Sequence, residues 1–205
     1  MRDSGADVEL TLAEKLDWLQ EWMKELEGRW HVEPEEMFPP PISEERLVVF
    51  EQRYSITLPE ELRAVITQIS DSLNIWLPLD SWESPPEVGG RWLNAQNLLL
   101  PFVPEEVHDC SYVPDEEQET VEDDPQRQMF EDDFERLKNS LTRGTLWLAG
   151  SLDDLGCGYF LVVTGDTRGT IWKIYQDIGM DASYFVHLTC FGSLMDAIED
   201  MDEWL

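Results

Sequence analysis

Polar and apolar positions alternate along this chain in two different periods, helical in the first third and strand-like in the last. Thr11 and Glu14 have the spacing of a capping box, and Leu12, Leu16, Leu19, Met23, Leu26 and Trp30 follow at intervals of four and three. That is one apolar stripe on a helix, with Trp18 and Trp22 lying off it, four apart, as a candidate second buried face, and Gly28 as the expected stop. Phe38 to Ile42, with three consecutive prolines, predicts a stiff extended connector. Ser43 is placed to cap a second helix with Leu47, Phe50 and Tyr54 on its inner face. Pro59, Glu60 and Glu61 open a third, whose core stripe is Leu62, Val65, Ile66 and Ile69.

From Leu73 to Val103 the pattern is irregular. Residues 74–79 and 92–100 read as strand-like segments, with a short helix as the alternative at Leu98–Leu100. Residues 105–135 hold 14 acidic residues and one basic residue, Arg127, which predicts an acidic loop or insertion with some mobility. Only its tail, Met129, Phe130, Phe134 and Leu137, has helical spacing. The last third predicts strands over Leu146–Ala149, Tyr159–Val163, Thr170–Tyr175 and Tyr184–Cys190. A Gly165–Gly169 hairpin joins two of them. A final helix is capped by Ser193 and Asp196, with Leu194, Ala197, Ile198 and Met201 inward. No internal repeat is visible.

At 205 residues, 42% apolar and with nine tryptophans, the chain is expected to fold as one domain spanning 1–205, with the acidic insertion at about 105–135. No apolar run reaches the roughly 20 residues a membrane span needs, and the polar N-terminus lacks a signal core, so the expected location is cytoplasmic. Cys110, Cys157 and Cys190 are too few and too scattered for a disulfide framework and read as free, mostly buried thiols. The net charge of −30 repels nucleic acid and anionic membranes and favours a cationic protein partner.

The chemistry-bearing residues do not assemble into a motif. His187 and Cys190 have a metal-ligand spacing, yet His31, His108, Cys110 and Cys157 supply no second clean pair, and on a strand His187 and Cys190 face opposite ways. Asp153-Asp154 and Glu122-Asp123-Asp124 lack the ligand alternation of a calcium loop. Cys157, between two glycines, has no evident base and no phosphate-loop lysine downstream. The expectation is therefore a non-enzymatic protein with no catalytic residue, metal or cofactor.

Taken in order, Phe50-Glu51, Leu58-Pro59-Glu-Glu, Leu77-Pro-Leu79, Gly156-Cys-Gly158, Leu161-Val-Val-Thr-Gly165, Gly169-Thr-Ile-Trp172 and a closing helix near Phe191 resemble the SUKH superfamily, the Smi1/Knr4-like proteins. The similarity covers about residues 43–80 and 143–205, and more weakly 10–30. Ser70-Asp-Ser-Leu stands where the family places an Asn-Gly turn, and 105–135 has no family counterpart. The resemblance implies an α+β fold, with N-terminal helices packed on a small, mainly antiparallel sheet and a C-terminal helix. It also implies a binding role. Bacterial members act as immunity proteins against toxins, often nucleases, and fungal relatives act as regulators or scaffolds. On this reading the partner is a basic toxin domain. Glu116, Glu117, Glu119, Glu122, Asp123 and Asp124 would face it, with Trp82 as an apolar anchor. The alternative is a regulatory scaffold or adaptor without toxin inhibition.

Overall fold

The computed structural model describes residues 10–30, 38–71, 95–113, 125–150, 157–178 and 183–202. Within them lie six α-helices and a five-stranded antiparallel sheet. The helices are α1 (Leu12–Trp30), α2 (Glu44–Tyr54), α3 (Glu60–Gln68), the single turn α4 (Ala95–Leu98), α5 (Pro125–Leu141) and α6 (Leu194–Asp202). The strands are β1 (Cys110–Tyr112), β2 (Thr145–Gly150), β3 (Cys157–Val162), β4 (Ile171–Ile178) and β5 (Tyr184–Phe191), in the order β1-β5-β4-β3-β2.

The caps form as the spacing requires. The Thr11 backbone N–H donates to Glu14 Oε2 at 2.8 Å while the Glu14 N–H donates to Thr11 Oγ1 at 3.3 Å. Ser43 Oγ accepts from the Arg46 N–H, and Ser193 Oγ accepts from the Asp196 N–H. Helix α1 runs through Gly28 to Trp30 instead of stopping at the glycine. One interior glycine costs about 1 kcal/mol, too little to end a helix unaided. Its buried face centres on Leu19, Trp22 and Leu26, and the Trp18 and Trp22 rings stack at 6.4 Å. Leu19 and Leu26 of the stripe are thus buried together with Trp22, and Trp18 packs against the same core, as a second buried face requires.

The sheet is buried on both faces because its strands send alternate side chains to opposite sides. On one side Tyr159 and Leu161 of β3 meet Leu19, Leu47, Phe50, Val65 and Ile198 from α1, α2, α3 and α6. On the other, Phe160 and Val162 meet Leu137 and Leu141 of α5, together with Phe102. Trp147 leaves β2 on this second side and lies across Gly158, where an added Cβ would collide with the indole. Gly158 is therefore required by a close approach of an aromatic ring, which explains the glycine after Cys157 better than an exposed thiol does.

Helix α5 bears out the helical spacing read at the tail of residues 105–135 and carries it back to Pro125. The region is no simple loop: it supplies a 3₁₀ turn at Pro104–Glu106, the edge strand β1, and the start of the helix that covers the second sheet face. Charge counting misled here because the carboxylates sit on the outer side of α5, whereas Phe130, Phe134, Leu137 and Leu141 face inward at helical spacing. Helix α5 then enters β2 through Gly144 at φ +62°. A Cβ there would press on Leu100 O, Thr164 O and Phe102 N. That crossing is fastened by hydrogen bonds from Gly144 N to Asn97 O at 2.9 Å and from Val163 N to Gly144 O at 2.7 Å.

The strand-like readings at 74–79 and 92–94 lie outside the described residues. Ala95–Leu98 is helical, the alternative weighed for that stretch.

Candidate functional site

Glu116, Glu117, Glu119, Glu122, Asp123, Asp124 and Trp82 lie outside the described residues, as do His31, Trp76, Trp92, Asp153, Asp154 and Gly156. Val113 follows β1 and Pro125 begins α5, and the eleven residues between them in sequence hold seven carboxylates and no cation.

A groove of about 250 Å³ lies between α5 and the paired ends of β4 and β5. Its walls are aromatic. The Phe130 and Phe134 rings lie parallel at 6.0 Å, Phe130 meets Tyr184 at 5.7 Å, and Tyr112 meets both Phe130 and Tyr184 at 6.2 Å. Helical i,i+4 spacing brings the two phenylalanines together on α5. Tyr184 opens β5 opposite Ile178, and Tyr112 is its register partner on β1. The rim is polar and internally paired: Arg127 Nε donates to Glu131 at 2.9 Å, and the Lys138 ammonium sits 4.9 Å from the centre of the Phe134 ring. The other flank of α5 carries a polar groove of about 470 Å³, in which Arg143 pairs with Glu106 at 2.8 Å and Arg136 with Asp133 at 2.5 Å.

A second polar cluster lies under α6. Asp200 Oδ2 accepts from the Tyr159 hydroxyl at 2.5 Å and from Lys173 Nζ at 2.6 Å, and Lys173 is almost fully buried. Burial, reinforced by the bonds to Asp200 and Cys157, holds the Tyr159 hydroxyl in its neutral form far above its ordinary range. At its other end α6 is received by Glu61, which accepts the Leu194 N–H at 3.1 Å and pairs with Lys15 at 2.7 Å. These bonds fasten both ends of the last helix to the first sheet face, which is a structural task.

The three thiols are free. Burial raises all three, Cys110 to about 11 with help from Asp133 and Asp109. Cys190 is exposed and Cys110 and Cys157 are half-buried, contrary to the expectation of mostly buried thiols. At pH 7.5 iodoacetamide should modify Cys190 first, with Cys110 the slowest of the three. Mass spectrometry of a time course reads that order directly, and Cys110 reacting first would contradict it.

Among the described residues no group of three or more His, Cys, Asp or Glu side chains converges as a metal site. His187 Nδ1 lies 3.4 Å from Asp109 and stands on the exposed side of β5. No helix among the described residues is long and apolar enough to cross a membrane.

The aromatic groove escaped the sequence reading, although the spacing of Phe130 and Phe134 was its one visible trace. No known protein family, characterised protein or solved structure matches this chain.

Proposed function

We propose that this chain is a non-enzymatic binding protein that captures a basic protein in the cytoplasm, and that it acts as an immunity protein, neutralising a toxin domain by stoichiometric contact. The observation that carries this reading is the distribution of charge: −30 overall, with seven carboxylates and no cation in residues 114–124. A nuclease is the fitting target, since the basic groove that holds a phosphate backbone is complementary to such a surface. The motif order shared with the SUKH superfamily supports the same role. Glu116, Glu117, Glu119, Glu122, Asp123 and Asp124 are the steering groups, raising the rate of encounter more than the lifetime of the complex.

The test is to co-express the chain with each basic toxin domain encoded near its gene, followed by stopped-flow mixing of the purified pair. The expected result is restored growth, a stoichiometric complex, and an association rate that falls about tenfold or more as salt rises from low to molar concentration. An association rate indifferent to salt would remove the steering mechanism. Tight binding that leaves the partner fully active would point to a regulatory scaffold.

A further inference from the structure

We infer that the aromatic groove between α5 and the β4–β5 ends is a binding site for a small, neutral aromatic molecule that carries a carbonyl oxygen, an aromatic amide or lactam, with Gln176 as the group that selects the carbonyl. The site takes a ligand of its own and does not depend on the capture of a protein partner proposed above.

Gln176 is a polar side chain where the packing asks for an apolar one. Residues two apart on a strand share a face, so Trp172, Ile174 and Gln176 of β4 lie on the same side of the sheet, and Val186 and Leu188 stand opposite Gln176 and Ile174 on β5. All of these except Gln176 pack into the second apolar cluster, beneath α5. Gln176 lines the groove instead, and its Nε2 is buried without a hydrogen-bond partner. A leucine or methionine would extend the cluster at no such cost, because a buried donor left unpaired is destabilising. An occupant whose carbonyl oxygen accepts that N–H removes the cost.

The walls and the charges narrow the occupant further. The Phe130 and Phe134 rings lie parallel at 6.0 Å, and Tyr184 meets Phe130 at 5.7 Å, so a flat ring meets aromatic surfaces that already hold one another in place. The volume of about 250 Å³ falls below the roughly 300 Å³ at which pockets for drug-sized ligands begin, which suits a molecule of one or two fused rings. The lining sets Arg127 and Lys138 against Glu131 and Asp177, so the signs cancel. Both cations are already engaged, Arg127 with Glu131 and Lys138 with Glu135. A charged ligand would give up its water for no net attraction, whereas a neutral ring with one acceptor loses little on entry.

The probe is benzamide, with benzoate and benzamidine as controls of the same shape and opposite charge. Each is titrated into the full chain at physiological ionic strength, which screens the −30 charge, and binding is followed by NMR of the aromatic and glutamine side chains. The expected result with benzamide is saturable shifts at Phe130, Phe134, Tyr184 and the Gln176 amide, with both ions binding about tenfold more weakly or worse. Gln176→Met keeps the length of the side chain and removes the donor. It should leave the urea midpoint unchanged or raise it, while benzamide binds about tenfold more weakly. A Gln176→Met chain that binds benzamide as well as the unmodified one would overturn the assignment. So would a lowered urea midpoint, because it would mean that the amide already has a task within the fold. Tighter binding of either ion, shifts confined to another surface, or no shift up to the solubility limit of benzamide would overturn the site itself. The shift map is read on the unmodified chain, so a folding defect in the variant cannot hide the answer.

Discussion

Replacing Phe160 by alanine should destabilise the fold by about 3–5 kcal/mol, the largest loss expected from any single truncation in the described residues. The ring is fully buried on β3, an interior strand of the sheet. It touches Phe102 edge-on at 6.2 Å and lies nearly parallel to Trp147 at 6.1 Å. Trp147 is itself laid across Gly158, so it has little room to move into the space left behind. A cavity that neighbours cannot fill costs both the lost transfer energy and the lost contacts. Urea denaturation should show a lower midpoint with little change in slope. A loss below about 1 kcal/mol would mean that the second sheet face is packed differently from the arrangement described.

Glu51→Ala should cost about 2–4 kcal/mol, through an unpaired donor as well as a lost contact. One Glu51 oxygen accepts the N–H of the buried Leu58 at 2.7 Å, and the other bonds the Arg63 guanidinium. Arg63 also pairs with Glu44, and its bond to Glu51 raises its affinity for its proton against an opposing effect of burial. The carboxylate thus ties the end of α2 to the turn that opens α3. Helix α2 ends just beyond it, with Ser55 left-handed at φ 54°. Because Arg63 keeps Glu44 and some access to water, the loss should fall short of that for a fully buried ion pair stripped of one partner. Glu51→Gln retains an acceptor for Leu58 and should lose clearly less. Equal losses for the two variants in urea denaturation would show that charge, and not the backbone contact, is what matters at this position.

The same bond gives a physical account of why Glu51 and Leu58-Pro59 stand seven and eight residues apart. A glutamate late in one helix and a Leu-Pro at the start of the next are needed together because the carboxylate holds the leucine amide while proline opens the helix. Helix starts at Thr11, Ser43 and Ser193 were legible in the same way, since each cap bonds within three residues of itself. The strands of the last third were legible because each apolar run ends in glycine or a polar turn. Helix α5 was half legible: its apolar spacing was visible, but the surrounding carboxylates drew the reading toward a loop. The groove was legible least, because Phe130 on α5 lies far in sequence from Gln176 and Tyr184 on β4 and β5.

What the sequence by itself determined is local or global in character: helix caps, strand periods, hairpin glycines and a strongly negative charge. These depend on neighbours within a turn or on simple sums over the chain. Tertiary structure alone decided why Gly158 must lack a side chain and that residues 125–141 lie as a helix over the second face of the sheet. It alone brought Asp200 to Lys173 and Tyr159, and Tyr112 to Phe130 and Tyr184. Contacts of that kind depend on strand order and helix placement, which arise from packing two apolar clusters against opposite sides of one sheet and leave no periodic mark along the chain.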